Sequence, residues 1–337
     1  MTLRSKATTR IRILLHPLRY EDGMKVLAGD LGGTKALLGI ATLEPGQPPV
    51  FTHTCRLASA DFSDCSALLA HFCAEAGDAL QGVTQTCLAV AGPISADGRQ
   101  VRFTNLSWLA DVETLVACTG MPVKLVNDFA AVAAGVTVTD QLLTLQTGAP
   151  LLGPGNLCLV IGAGTGLGVA ALLGEGPTLR IIPSEGGHVG FSPLDATQAR
   201  IHANLLAIHG RVTAERVISG PGLRAIHRVL TGQMLDPAEI AQRALAGDQE
   251  TLATTDAFFS AYGAFAGDMA MAFLPRGGVY LAGGVTQRLL PLLESSPFLT
   301  VFNAKAEHAA LVAQMPVHVL RDEAIGLTGA AVLACLS

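Results

Sequence analysis

The chain has 337 residues, 50 % of them hydrophobic and 15 % charged, with a mean hydropathy of +0.45. That length suits about two domains, and that composition excludes a disordered chain and supports a large buried core. The net charge is −5 with only five lysines, Lys6, Lys25, Lys35, Lys124 and Lys305, so the basic face of a nucleic-acid binder is missing. Glycine is the outlier: 37 residues, about 11 %, against roughly 7 % in ordinary proteins. It follows no Gly-X-Y period, which excludes collagen. It clusters instead, and clustered glycine marks backbone that must approach something closely.

Residues 1–23 are set apart by Arg4, Arg10, Arg12 and Arg19 with no acid before Glu21. Their apolar run Ile13-Leu14-Leu15 is too short for a signal-peptide core. The expectation is a disordered extension, or a transit segment, ahead of a fold that starts at Met24. Val26-Leu27-Ala28 then opens a strand. It leads into Gly29-Asp30-Leu31-Gly32-Gly33-Thr34, and Leu37–Ala41 reads as the returning strand of a hairpin. Residues 64–80 read as a helix with Leu68, Leu69, Phe72, Ala76 and Leu80 on one side. Thr86–Val90 and Val123–Val126 read as buried strands, the second ending at Asn127-Asp128 ahead of a helix over 129–135.

The longest uncharged run, between Asp140 and Glu175, is broken by glycine and proline. It cannot close its own backbone hydrogen bonds as a membrane helix, so no membrane span is expected. Within it Leu157–Ile161 is a strand, followed by Gly162-Ala-Gly-Thr-Gly-Leu-Gly168 and a returning strand Val169–Leu173. The strand, glycine turn, strand pattern of residues 26–41 thus recurs about 130 residues later, which predicts a duplicated fold. Asp195 with Gln198 makes a capping-box pattern before a helix over 196–209. Asp236-Pro237 offers an N-cap and a first-turn proline. A long apolar helix covers 251–273, and a third strand, Gly278–Ala282, ends in Gly283-Gly284. Residues 317–337 add a strand and a last helix. The two halves divide near residues 135–145. Seven scattered cysteines contain no C-x-x-C pair and suit a reducing compartment.

Glycine turns at three strand ends suit a nucleotide held between two lobes by backbone N–H groups. Neither G-x-G-x-x-G nor a P-loop fits them. Asp30 would repel phosphate unless it faces Mg²⁺ through water; the alternative is an Asx turn. Asn127-Asp128 reads either as a plain helix cap or as a site where Asp128 takes a hydroxyl proton during phosphoryl transfer. In Ser184-Glu185-Gly186-Gly187-His188 the glycines prevent a regular helix, so Glu185 and His188 can both point into a cleft and bond sugar hydroxyls. His188 lacks the partner of an H-E-x-x-H or H-x-x-E-H metal motif. Glu215, read as lying at the end of a helix, is a second candidate carboxylate.

These pieces occur in order. With Thr104-Asn105, Trp108 and Ala214-Glu-Arg-Val-Ile-Ser-Gly-Pro-Gly222, they make residues 24–335 resemble the bacterial glucokinase family. The resemblance implies an α/β, two-domain actin-like ATPase (ribonuclease H-like) fold with an interdomain cleft. Its small domain would take residues 24–138 plus 319–337, and its large domain 139–318. It also implies a cytoplasmic homodimer that phosphorylates the 6-hydroxyl of D-glucose with ATP and Mg²⁺. By position, Asp128 resembles the catalytic base. Asn105, Asn127, Asp128, Glu185, His188 and Glu215 resemble the sugar-contacting residues. Gly29, Asp30, Leu31, Gly32, Gly33, Thr34, Gly164, Thr165, Gly283 and Gly284 resemble the nucleotide-binding turns, with Asp30 toward the metal. A related hexose or amino-sugar kinase and a non-catalytic sugar sensor are the alternatives, and an actin-like ATPase acting on a protein is a third class. The repressor/open-reading-frame/kinase group shares the first turn but carries a cysteine-rich zinc motif beside its histidine. Here Val189-Gly-Phe-Ser-Pro193 follows His188, and no cysteine lies between Cys158 and Cys335, so no zinc site is expected.

Overall fold

The computed structural model describes residues 23–44, 47–148, 157–174 and 179–335. The expected extension therefore lies outside the described residues except for Gly23. In the first half come β1 (Met24–Leu31), β2 (Lys35–Leu43), β3 (Val50–Ala58), α1 (Cys65–Ala76) and β4 (Val83–Val90). A small ribbon follows, β5 (Gln100–Arg102) with β6 (Leu109–Asp111), then α2 (Val112–Thr119), β7 (Val123–Asn127) and α3 (Asp128–Gly135). In the second half come β8 (Leu142–Gln146), β9 (Leu157–Ala163), β10 (Leu167–Leu173) and β11 (Arg180–Ser184). Helices α4 (Ala196–His209), α5 (Gly220–Thr231), α6 (Pro237–Leu245) and α7 (Gln249–Phe273) lead to β12 (Gly278–Ala282). Short helices α8 (Gly284–Arg288), α9 (Leu290–Leu293), α10 (Phe298–Asn303) and α11 (Ala309–Val312) precede β13 (Val317–Leu320) and α12 (Ile325–Ala334).

The strands form two large sheets, ordered β3-β2-β1-β4-β7 and β11-β10-β9-β12-β13-β8. In the first, β3, β2 and β1 are antiparallel neighbours, while β4 and β7 add in parallel. In the second, β11, β10 and β9 are antiparallel, and β12 and β13 add in parallel. The two sheets therefore share one topology, and the duplication expected from the repeated hairpin holds. Strand β8 is an addition, antiparallel on the edge of β13.

Each sheet ends in a helix that crosses to the other. α3 follows β7 of the first sheet yet packs on β10 and β11 of the second. α12 follows β13 of the second sheet yet packs on β1 and β4 of the first. The two helices cross in contact, so two apolar layers lie between the sheets. One joins Val26, Ala28 and Cys87 to Ala131, Leu327 and Ala331, and the other joins Ala133 and Ile325 to Val160, Ala170 and Tyr280. The outer face of the first sheet is covered by α1 and α2, and that of the second by α5, α6, α7 and α10. This explains the continuous apolar runs in β1 and β9: strands covered on both faces carry no alternation.

Several local expectations shift. The helix expected over 64–80 is capped by Asp64, whose carboxylate accepts from Ala67 N at 2.9 Å, but it stops at Ala76. Gly77 follows at φ +48°, and residues 77–80 form a separate single turn in which Leu80 is only partly buried. At α4, Asp195 accepts from Gln198 N at 2.7 Å. The return bond from Gln198 Oε1 reaches Leu194 N at 3.0 Å, one residue before the capping-box target. Asp236 makes no cap bond; its carboxylate takes Arg224 instead. All four residues of β13 belong to the second sheet. The chain therefore passes to the first sheet after Leu320, inside the segment 319–337 assigned from sequence to the small domain.

Candidate active site

The two hairpin turns, the end of β7, the end of β12 and the first turn of α12 converge between the sheets. Ligands of open α/β sheets bind outside the carboxyl ends of strands, and these are such ends. In the first hairpin the turn proper is Gly32-Gly33-Thr34, closed by Gly32 N to Lys35 O at 2.9 Å. Ser59 braces it: its hydroxyl donates to Gly32 O at 3.0 Å and its N–H to Thr34 O at 3.2 Å. A Cβ on Gly33 would sit 2.6 Å from Asn105 Cβ, so Asn105 leans on this turn. Gly29 and Leu31 stay inside β1. A Cβ on Gly29 would meet the Leu88 side chain at 2.8 Å, and Leu31 is fully buried in the core against α1. Their place is in packing, which leaves the turn's unspent amides to Gly33 and Thr34.

Asp30 lies on β1 opposite Leu37 rather than in the turn, and its side chain faces α12. A Cβ on Gly326 would sit 2.4 Å from Asp30 Oδ2, so only glycine fits beneath the carboxylate. Burial, reinforced by the negative charge of Asp128, pushes the Asp30 carboxyl up to about 6. Asp128 opens α3. Burial raises its carboxyl, Glu185 adds to the rise, and a bond from Phe129 N to Oδ1 at 2.8 Å opposes it. Asn127 caps the same helix, its Oδ1 accepting from Phe129 N and Ala130 N, both at 3.0 Å. The two readings of Asn127-Asp128 thus divide: Asn127 is the cap, and Asp128 is a half-buried acid beside Asp30.

Glu185, His188 and Glu215 form a chain. His188 Nε2 lies 3.7 Å from Glu185 Oε2, and its Nδ1 lies 3.9 Å from Glu215 Oε1. Residues 186–188 are a tight single turn, held by Gly186 N to Ser184 Oγ at 2.9 Å and Arg211 to His188 O at 3.2 Å. Glu215 is not at the end of a long helix; it sits in a single turn, Ala214–Arg216, between α4 and α5. Its second oxygen, Oε2, accepts from Leu167 N at 2.9 Å, which ties the chain to the second hairpin.

That hairpin turns at Gly164-Thr165-Gly166, with Gly164 N bonded to Gly166 O at 2.8 Å. Gly220, at the start of α5, donates to Gly164 O at 2.8 Å. Gly283 has φ +94°, and its Cβ would fall 2.3 Å from Ala163 O, so the β12 turn lies directly against this hairpin. A Cβ on Gly164 would lie 3.9 Å from Gly284 N, so the two glycines expected from sequence to serve one nucleotide are neighbours. Nothing in the sequence marked Gly326 or the brace from Ser59, and the Asn127-Asp128-Phe129 run assigned no role to Phe129, whose ring rests on Gly162 and Gly168. The six-residue spacing of those two glycines about one turn makes them cross-strand partners, a signal that was available.

Among the described residues, no group of three or more His, Cys, Asp or Glu could hold a metal ion by itself. No described helix is long and apolar enough to cross a membrane. The family model described as Glucokinase matches residues 27–336. The glucokinase of Nostoc sp. is 35 % identical over 341 residues, covering 92 % of this chain and 98 % of that protein. The glucokinase of Synechocystis sp. is 33 % identical over 355 residues, covering 94 % and 99 %. The crystal structure of a glucokinase from an Antarctic psychrotroph superposes with a TM-score of 0.80 at 30 % identity, covering 92 % of this chain and 98 % of that one. A repressor/open-reading-frame/kinase (ROK) family glucokinase from Streptomyces griseus, solved with glucose and AMPPNP, gives a TM-score of 0.62 at 21 % identity, which speaks for the fold alone. The duplicated sheets with exchanged helices are thus an actin-like ATPase fold, and the chain belongs to the glucokinase family.

Proposed function

We propose that the chain transfers the γ-phosphoryl group of ATP to the 6-hydroxyl of D-glucose, with Asp128 as general base. The observation that carries this is the placement of Asp128. It is a half-buried carboxylate with a raised pKa, coupled on one side to Asp30 of β1 and on the other to Glu185, the first member of the Glu185–His188–Glu215 chain. A carboxylate raised in this way holds a proton more readily than a free one, as a general base must. As the 6-oxygen attacks the γ-phosphorus, its proton passes to Asp128, the new O–P bond forms, and the bond to the β-phosphate oxygen breaks to release ADP. Glu185, His188, Glu215 and Asn127 orient the sugar by hydrogen bonds, with Asn105 holding the first turn beside them. The backbone N–H groups of Gly33, Thr34, Thr165, Gly283 and Gly284 face the phosphates, while those of Gly32 and Gly164 close the two turns.

The residues fit a bound Mg²⁺. That ion takes one or two carboxylates and completes its shell with phosphate oxygens and water. Asp30 offers one buried carboxylate whose negative charge is opposed by a second carboxylate, Asp128. When bound, the ion supplies positive charge to the phosphate oxygens in a chain that has few lysines to do so. A cytoplasmic homodimer is part of the same proposal. It is supported by the family resemblance, and the compartment also by the lack of a C-x-x-C pair among scattered cysteines.

The test is ADP release with and without glucose. ADP formation that requires glucose supports the reading. Glucose binding without ADP would indicate a sensor, and ADP formation indifferent to glucose would indicate an ATPase with another acceptor. Asp128→Asn is expected to retain glucose binding and lower turnover by about two to four orders of magnitude. Near-normal turnover would remove the base assignment.

A further inference from the structure

Phe129 follows the base directly, and both of its ends are engaged. Its N–H is shared between Asn127 Oδ1 at 3.0 Å and Asp128 Oδ1 at 2.8 Å. Its ring lies on the second hairpin. A Cβ on Gly162 would come 2.4 Å from Phe129 Cε2, and a Cβ on Gly168 would come 2.5 Å from both Cγ and Cδ2. Gly162 and Gly168 are register partners across β9 and β10. They form a side-chain-free patch on one face of the hairpin, and the ring fills it. Two residues beyond each glycine lies the turn Gly164-Thr165-Gly166. The same turn carries a second engagement, since a Cβ on Gly166 would sit 2.6 Å from Glu215 Oε2. Of the four glycines between 162 and 168, two receive the ring and one receives a carboxylate.

We propose that Phe129 is a positioning residue that links the nucleotide turn to the general base through the Gly162–Gly168 pair. The inference rests on the kinase reading above. Phosphates on the turn amides restrain the hairpin; the ring seated on the hairpin restrains the first turn of α3; the Phe129 N–H then holds Asp128 and Asn127 in one arrangement. A packed core of this density has few intermediate positions, so restraint at one end is felt at the other.

The test combines two variants with one measurement on the unaltered protein. Phe129→Leu removes the ring. Gly168→Ala puts a methyl group where the ring sits. Each should lower kcat about 10- to 100-fold, the cost of a misplaced reacting group, a larger change than the rise in glucose Kd that comes through Asn127. In the Phe129→Leu background, Gly168→Ala should cost little more, because both changes remove the same contact. A merely structural role predicts a lower Tm with unchanged kcat per folded molecule and additive effects, and either result overturns the proposal. If neither variant folds, amide exchange on the unaltered protein decides. Adding AMPPNP with Mg²⁺, without glucose, should slow exchange at Phe129 and Ala130 by about tenfold or more; unchanged exchange overturns the proposal. Failure of the unaltered protein to turn over glucose would remove the sugar assignment instead, and the exchange response would still report whether the nucleotide turn reaches α3.

Discussion

Asp30 is held at an energetic cost. Its carboxyl is pushed up to about 6 by burial and by Asp128, against an ordinary value of 3.8. A folded-state pKa above the unfolded one means the folded chain binds its proton more tightly. This group therefore favours folding at low pH, and the advantage is lost as pH rises from about 4 through about 6. A shift of about two units corresponds to roughly 3 kcal/mol. Asp30→Asn is accordingly expected to raise the Tm of the ligand-free protein at pH 7.5, to give no gain near pH 4, and to abolish turnover. Thermal melts at the two pH values check the sign, and a lower Tm at pH 7.5 would contradict it. The proposed mechanism uses Asp30 and Asp128 ionised, so kcat/KM should fall as pH drops through about 6. The sequence singled out both acids, but their mutual repulsion was not legible, because it depends on two strands of one sheet bringing them together.

At the scale of elements, the single turn at residues 186–188 decides the sugar side. Gly187 is there because a Cβ would fall 1.9 Å from Leu167 O, a backbone atom that cannot move aside cheaply. The turn is thereby pressed onto the start of β10, which brings Glu185 and His188 to Glu215. Gly187→Ala should lift the turn and raise the glucose KM by an order of magnitude or more, and the ATP KM by less, because the turn carries Glu185 and His188 while the strained contact only adjoins the Gly164–Gly166 turn. Steady-state kinetics varying each substrate in turn test it, and equal rises in both KM values would contradict the assignment. The Glu-Gly-Gly-His run made the cluster readable in sequence. Glu215 was harder to place, because a lone glutamate among helices looks like a surface charge until Leu167 N is seen to bond it.

At the scale of the whole molecule, the two halves are joined by the crossing of α3 and α12. A Cβ on Gly329 would fall 1.7 Å from Ala131 O and 2.8 Å from Gly135 N, and a Cβ on Gly135 would meet Ile325 O at 2.6 Å. The helices touch backbone to backbone, and no side chain larger than hydrogen fits at either glycine. Gly329→Ala must force the helices, and with them the sheets, apart. Overpacking of this kind costs about 1–3 kcal/mol or more, so the Tm should drop by several degrees. The drop should come with weaker affinity for both substrates, since the acids from the first half and the hairpin from the second are aligned by this contact. An unchanged Tm in calorimetry would show that the crossing tolerates separation.

The sequence alone determined most of the elements, the repeated hairpin and, through the ordered motifs, the family, because each of these depends on residues close together in the chain. Glycine runs after apolar strands mark turns wherever they fold. The tertiary structure decided what the glycines are for. Gly32, Gly164 and Gly284 lie on the open ends of the hairpins and of β12. Gly162 and Gly168 receive a ring, Gly166 and Gly326 receive carboxylates, and Gly329 receives a helix. A glycine is written the same way in each case, and only the atoms packed against it, brought from distant parts of the chain, distinguish an open turn from a close contact.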